Sequence, residues 1–188
     1  RILREYCVSL SLLFFWLNMV SYIFSSLFHA LLPASQTDRD LKPSNVLIDA
    51  NLCPKLCDFG LAQFAAKKGK HVFVGTPSYV APEVIAAKEG AADAFTNKAD
   101  VYSFGIVLWQ IVVGKAPYAS MHFSQVLFNV VNTDLRPRMD DADWRGPSST
   151  IKTMARLREL VQHCWQRNQD TRPEFQTIVS TLAELQVG

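Results

Sequence analysis

Between Glu5 and Asp38 the sequence has no Asp, Glu, Lys or Arg, although these residues make up 19% of the chain. The gap excludes a solvated, salt-bridged surface over that stretch and points to burial or to a membrane. Cysteine is scarce as well: four in 188 residues, Cys7, Cys53, Cys57 and Cys164. Cys53 and Cys57 share one face of the strand-like stretch "LCPKLCD" with no His nearby. They read as small buried hydrophobes in a reducing compartment rather than as metal ligands. Neither sign of charge dominates, with 19 Lys and Arg against 17 Asp and Glu and a pI near 8.4. That balance excludes the basic footprint of a nucleic-acid binder. There is no internal repeat and no low-complexity tract. The length suits one domain with a real core, and a chain opening on Arg1 rather than Met reads as a fragment.

The uncharged stretch Tyr6 to Phe28, "YCVSLSLLFFWLNMVSYIFSSLF", is long enough to span about 30 Å of hydrocarbon as a helix. Three readings stand side by side. It is a membrane anchor or signal-like segment with Arg1 and Arg4 as its basic flank. It is a buried helix, although Asn18 and several Ser interrupt a clean stripe. Or it is mispredicted or retained sequence foreign to the domain. Basic residues on both sides, Arg1 and Arg4 against Arg39 and Lys42, set no orientation.

From Asp38 onward the composition is that of a globular chain. Val46 to Ile48 and Lys55 to Cys57 are short strands joined by the turn "DANLCP". Thr96 to Val113 is apolar nearly all round, so it is expected to be a fully buried helix, with Thr96 as N-cap and Gly114 and Pro117 closing it. Ser124 to Val131 and Ile151 to Arg167 repeat apolar residues at helical spacing, and Pro173 opens a last helix through Leu185. The fold class is α+β, mostly helical with a short β pair.

Chemistry concentrates in "DRDLKPSNVLID", residues 38 to 49. Asp40 and Asn45 are separated by "LKPS", and Asp58 follows after one strand pair. Two short loops around a β pair bring these polar groups to one sheet edge. Asn and Asp oxygens are hard ligands suited to Mg²⁺ shared with phosphates. A separate Asp beside a hydroxyl orients it and accepts its proton. Phosphoryl transfer needs that division of labour.

At these positions the sequence resembles the eukaryotic-type protein-kinase family, specifically its C-terminal lobe. The matches run in order: "RDLKPSN" (39–45), "DFG" (58–60), "GTPSYVAPE" (75–83), "DVYSFG" (100–105), then "CW" (164–165) and "RP" (172–173). The resemblance implies ATP and Mg²⁺ as cofactors and protein substrates with Ser or Thr acceptors. It implies Asp40 as catalytic base, Lys42 on the γ-phosphate, and Asn45 and Asp58 as metal ligands. Leu47 forms the adenine floor, Cys57 lines the back of that pocket, and Phe59 packs behind it. Thr76 bonds toward Asp40 and Lys42, Glu83 pairs with a buried Arg172, and Asp100 anchors the catalytic loop. Lys42 with Pro43, and "GTPSYVAPE", are similar to the Ser/Thr type. "DVYSFGIVLWQIV" with the "CW" and "RP" ending is similar to the tyrosine-kinase-like group.

The pattern is also broken in three places. Asp38 stands where the family has His, and a carboxylate there is desolvated beside Asp100. These 188 residues hold no Gly-rich loop followed by a strand Lys. The N-terminal lobe is therefore expected to be missing, and the chain alone to bind ATP poorly. Between Gly60 and Gly75 the loop "LAQFAAKKGKHVFV" has no Ser, Thr or Tyr. Activation is thus expected not to depend on phosphorylation there. Lys67, Lys68, Lys70 and His71 read as a solvated mobile loop, with recognition of acidic substrate as the alternative. The resulting division is 1–37, an apolar segment of uncertain origin, and 38–188, a kinase C-lobe. "SLFHALL" also aligns with the helix that precedes the catalytic loop. The alternative function is a kinase-like binding or scaffold module. The expected location is cytoplasmic, with membrane association if residues 6–32 form a span. No nucleic-acid partner is expected.

Overall fold

Pro43 sets the first turn among the described residues. Its fixed φ suits the start of a 3-10 turn over Pro43–Asn45, closed by Asn45 N–H donating to Lys42 O at 3.0 Å. The computed structural model describes residues 41–50, 54–57, 76–87, 96–144 and 151–186. The turn feeds β1 (Val46–Ile48), which pairs antiparallel with β2 (Pro54–Leu56). The register sets Val46 opposite Leu56 and Leu47 opposite Lys55. Expected one residue later, β2 begins at Pro54, a residue tolerated at a strand's first position.

Among the described residues five α-helices follow. α1 (Pro82–Ala86) opens on Pro82, where the missing N–H costs nothing. α2 (Asn97–Val113) is the core of the molecule: Ala99 through Trp109 are all buried. A helix apolar all round belongs in such a position. Thr96 precedes α2 in extended conformation, but its hydroxyl donates to Gln169 Oε1 at 3.2 Å rather than capping the helix. Gly114 ends α2 at φ 70°, a left-handed conformation that glycine adopts without a Cβ penalty, with its N–H on Gln110 O at 2.8 Å.

α3 (Phe123–Asn132) starts from a reciprocal cap. His122 N–H donates to Gln125 Oε1 at 3.1 Å, and Ser124 N–H donates to His122 Nδ1 at 3.4 Å. α4 (Ile151–Cys164) packs directly on α2, and α5 (Phe175–Gln186) closes the described chain. α4 ends at Cys164 rather than Arg167. α5 begins two residues after Pro173, with Ile178 N–H donating to Glu174 O at 3.1 Å; Lys98 Nζ bonds Arg172 O at 2.7 Å and the Glu174 carboxylate at 2.6 Å just before it.

The α2–α4 contact is close at one point. A Cβ placed on Gly105 falls 2.9 Å from Cys164 Cβ. Gly105 of "DVYSFG" and Cys164 of "CW" thus meet across the core, which explains why a small residue sits in each. Among the described residues no helix is long and apolar enough to cross a membrane. The segment 6–28 lies outside them, as does the rest of 6–32.

Candidate active site

Leu41 is the residue that pins the loop. It is 2% exposed and belongs to the hydrophobic core, although its neighbours in "RDLKPSN" are polar or conformationally special. Asn45, four residues on, is also buried, and Lys42 between them is half-buried. Two buried anchors around a 3-10 turn leave the intervening loop little freedom. Sequence reasoning had no reason to single out Leu41; the only signal was an apolar residue inside a charged loop.

The β pair brings the second loop to the first. Cys57 N–H donates to Asn45 O at 2.9 Å, and Cys57 Sγ lies 3.4 Å from the same oxygen. The segment leading into "DFG" is therefore bonded to Asn45 itself. Leu47 and Cys57 share a face of the pair by the two-residue period, with Lys55, the cross-strand partner of Leu47, between them in register. Leu47 is 55% exposed, an open apolar platform at the edge of the site. Asp40 and Asp58, expected as base and metal ligand, lie outside the described residues, as do Asp38 and Phe59. Of the expected site residues, the structure brings Asn45, Leu47 and Cys57 onto one β pair, with Lys42 one turn before it.

Among the described residues no group of three His, Cys, Asp or Glu side chains is placed to hold a metal. The donor set still suits Mg²⁺: one buried amide oxygen source at Asn45, next to the strand that leads to a carboxylate. Mg²⁺ takes one or two protein oxygens and completes its shell with waters and phosphates.

The segment after Thr76, a 3-10 turn over Pro77–Tyr79 followed by α1, is held by three links. Ser103 Oγ donates to Tyr79 O at 2.7 Å, and Tyr79 Oη donates to Gln110 Oε1 at 2.6 Å. Burial pushes the Tyr79 phenol up to about 12, so it stays a donor at all ordinary pH. The third link is the expected ion pair. Arg172 is bidentate to Glu83 at 2.6 and 2.8 Å, and its guanidinium also donates to Lys98 O, Gln166 O and Arg167 O. Each N–H of the guanidinium thus has an acceptor, the condition for burying such a charge. Tyr102 lies between two guanidiniums, with Arg172 at 5.2 Å and Arg136 at 5.0 Å from its ring centre. Asp100 is buried in the first turn of the same helix.

Comparison with known proteins decides the family. The protein kinase domain family matches residues 27–182. This chain belongs to the protein kinase family. The match starts inside the segment 1–37 set apart above. Over 153 residues the chain is 41% identical to the dual specificity protein kinase shkA of Dictyostelium discoideum, covering 78% of this chain and 26% of that one. It is 38% identical over 148 residues to the serine/threonine-protein kinase STY46 of Arabidopsis thaliana, covering 78% of this chain and 23% of that protein. The chain spans about a quarter of the length of these curated relatives.

Proposed function

We propose that this kinase domain transfers the γ-phosphate of ATP to Ser and Thr hydroxyls of proteins. The observation that carries the reading is the bond from Cys57 N–H to Asn45 O, which ties the strand entering "DFG" to the catalytic loop. In the proposed reaction Asp40 orients the acceptor hydroxyl and takes its proton as the oxygen bonds to the γ-phosphorus. The bond to the leaving ADP oxygen breaks, and Lys42 holds the γ-phosphate in line. Asn45 and Asp58 would hold Mg²⁺, whose charge would offset that of the phosphates. Leu47 and Cys57 bound the adenine. Asp100 steadies the loop backbone. "LKPSN" and the likeness to the serine/threonine-protein kinase STY46 support Ser and Thr acceptors, while the likeness to the dual specificity kinase shkA leaves Tyr acceptors to the assay below.

A second reading, a kinase-like lobe that binds without useful catalysis, draws on Asp38. On this reading a carboxylate where the family carries His is costly to desolvate behind the site, and either gains a proton or loosens the packing there. One assay separates the two. With excess Mg-ATP and a peptide library carrying Ser, Thr and Tyr, the first reading expects slow phosphoserine and phosphothreonine formation by these 188 residues. Asp40→Asn then lowers the rate by about a hundredfold or more. No Mg-dependent transfer, or transfer indifferent to Asp40→Asn, selects the second.

A further inference from the structure

We propose that Tyr102 couples the loop after α3 to the segment after Thr76, so that neutralising the exposed Asp134 carboxylate tightens the hold of Arg172 on Glu83. The coupling is a control point built into the fold and does not rest on phosphate transfer.

Tyr102 is wholly buried in α2, and two guanidiniums lie over its ring, Arg136 at 5.0 Å and Arg172 at 5.2 Å from the ring centre. Burial pushes its phenol up, Arg136 and Arg172 pull it down, and Glu83 adds to the rise, so all three charges act on one neutral ring. Among the described residues each cation has one carboxylate partner. Glu83 is bidentate on Arg172 at 2.6 and 2.8 Å. Asp134 lies 2.7 Å from Arg136 Nη2, at an angle that makes no hydrogen bond. The other groups on Arg136 are neutral: Nε donates to Trp165 O and Nη1 to Leu135 O, both at 2.8 Å.

The chain is shaped to keep Asp134 there. Among the described residues two non-glycine residues have a left-handed backbone, Tyr118 at φ 56° and Asp134 at φ 54°, one on each side of α3. Such a backbone is costly for a residue with a Cβ and persists where its surroundings impose it. Tyr118 Oη donates to Leu135 O at 3.4 Å, which ties the two loops to each other. The Asp134 side chain is still 51% exposed, so a lysine or arginine of a partner can reach it.

Once Asp134 is neutralised, by such a group or by substitution, Arg136 has no counter-charge. Glu83 then offsets two like charges gathered in a dry interior, where screening is weak, and detaching it from Arg172 costs more. A change at the surface loop is thereby felt in α1, whose first turn carries Glu83.

Urea unfolding of the 188-residue chain tests this with Asp134→Asn, Glu83→Gln and the double variant. Asn is chosen because it tolerates the left-handed backbone. Changes that do not interact multiply their effects on the unfolding constant; here the double variant is expected to exceed that product by at least about threefold. Asp141→Asn, which unpairs Arg158 instead of Arg136, is expected to give the plain product with Glu83→Gln. Where Glu83→Gln unfolds the chain outright, Asp134→Asn alone supplies the second measurement. Amide hydrogen exchange at Val84 and Ile85, which donate to Ala81 O at the start of α1, is expected to slow at least about threefold relative to Ile178 in α5. A double variant at or below the product, the same excess with Asp141→Asn, or exchange at Val84 and Ile85 that is unchanged or faster overturns the proposal.

Discussion

Arg172 shows how much one side chain holds together. Its side chain is wholly inaccessible and joins the segment after Thr76, through Glu83, to α2 through Lys98 O and to the chain after α4 through Gln166 O. Glu83→Ala leaves that guanidinium buried beside carbonyls alone, and is expected to cost about 3–5 kcal/mol in urea unfolding. The double variant Glu83→Ala, Arg172→Met is expected to cost less than the sum of the two single changes, because no unpaired charge remains. Strict additivity would contradict the pairing. Gly105 is the second such residue. A methyl there meets Cys164 Cβ at 2.9 Å and Trp165 N at 3.4 Å, and neither atom is the free end of a flexible side chain. Gly105→Ala is expected to destabilise by about 1–3 kcal/mol, although alanine favours a helix. A stabilised variant would show that α2 and α4 do not approach as closely as described.

At the scale of elements, the buried tyrosines and Cys164 make stability fall at high pH. Burial raises Tyr79 to about 12 from its ordinary 10.0, and pushes Tyr102, Tyr118 and Cys164 up as well. Above pH 9 to 10 the unfolded chain sheds these protons while the folded chain keeps them. The native state then binds more protons, so its stability declines as pH rises. Urea midpoints are expected to be lower at pH 11 than at pH 8, with a shallower decline in Tyr79→Phe; a level or rising midpoint would refute the assignment. The activation segment supplies another expectation. It has no hydroxyl from Leu61 to Val74, and Tyr79 and Glu83 hold its far end to α2 and Arg172. Phosphatase treatment is therefore expected to leave activity unchanged. Mass spectrometry showing an activating phosphate at Thr76 or Ser78 would reverse that conclusion.

At the scale of the whole molecule, the four longer helices and the β pair were legible because each has a local cause, such as the nearly unbroken apolar run of α2 and Gly114 at its end, whereas the short α1 was not foreseen. Element ends shifted by one to three residues, as at α5, which starts at Phe175 rather than Pro173, and at α4, which ends at Cys164 rather than Arg167. The Glu83–Arg172 pair was legible only through family resemblance, because 89 residues separate its members. The burial of Leu41 and the exposure of Phe128 were not legible at all. Both depend on what packs nearby, and no spacing in the chain encodes that. The site followed the same rule: Asn45 and Cys57 meet through strand pairing, which a turn between two short runs announces.

The central claim is that a metal-bound nucleotide sits against Asn45 at the open edge of β1 and β2. NMR of the ¹⁵N-labelled chain with Mn²⁺-ATP in place of Mg²⁺-ATP tests it most directly, since a paramagnetic ion broadens only the signals near it. The account predicts that the Asn45 side-chain amide disappears first, that Val126 in α3 is unaffected, and that Asp58→Asn suppresses the effect. An Asn45 signal as sharp as that of Val126 at saturating Mn²⁺-ATP would contradict it.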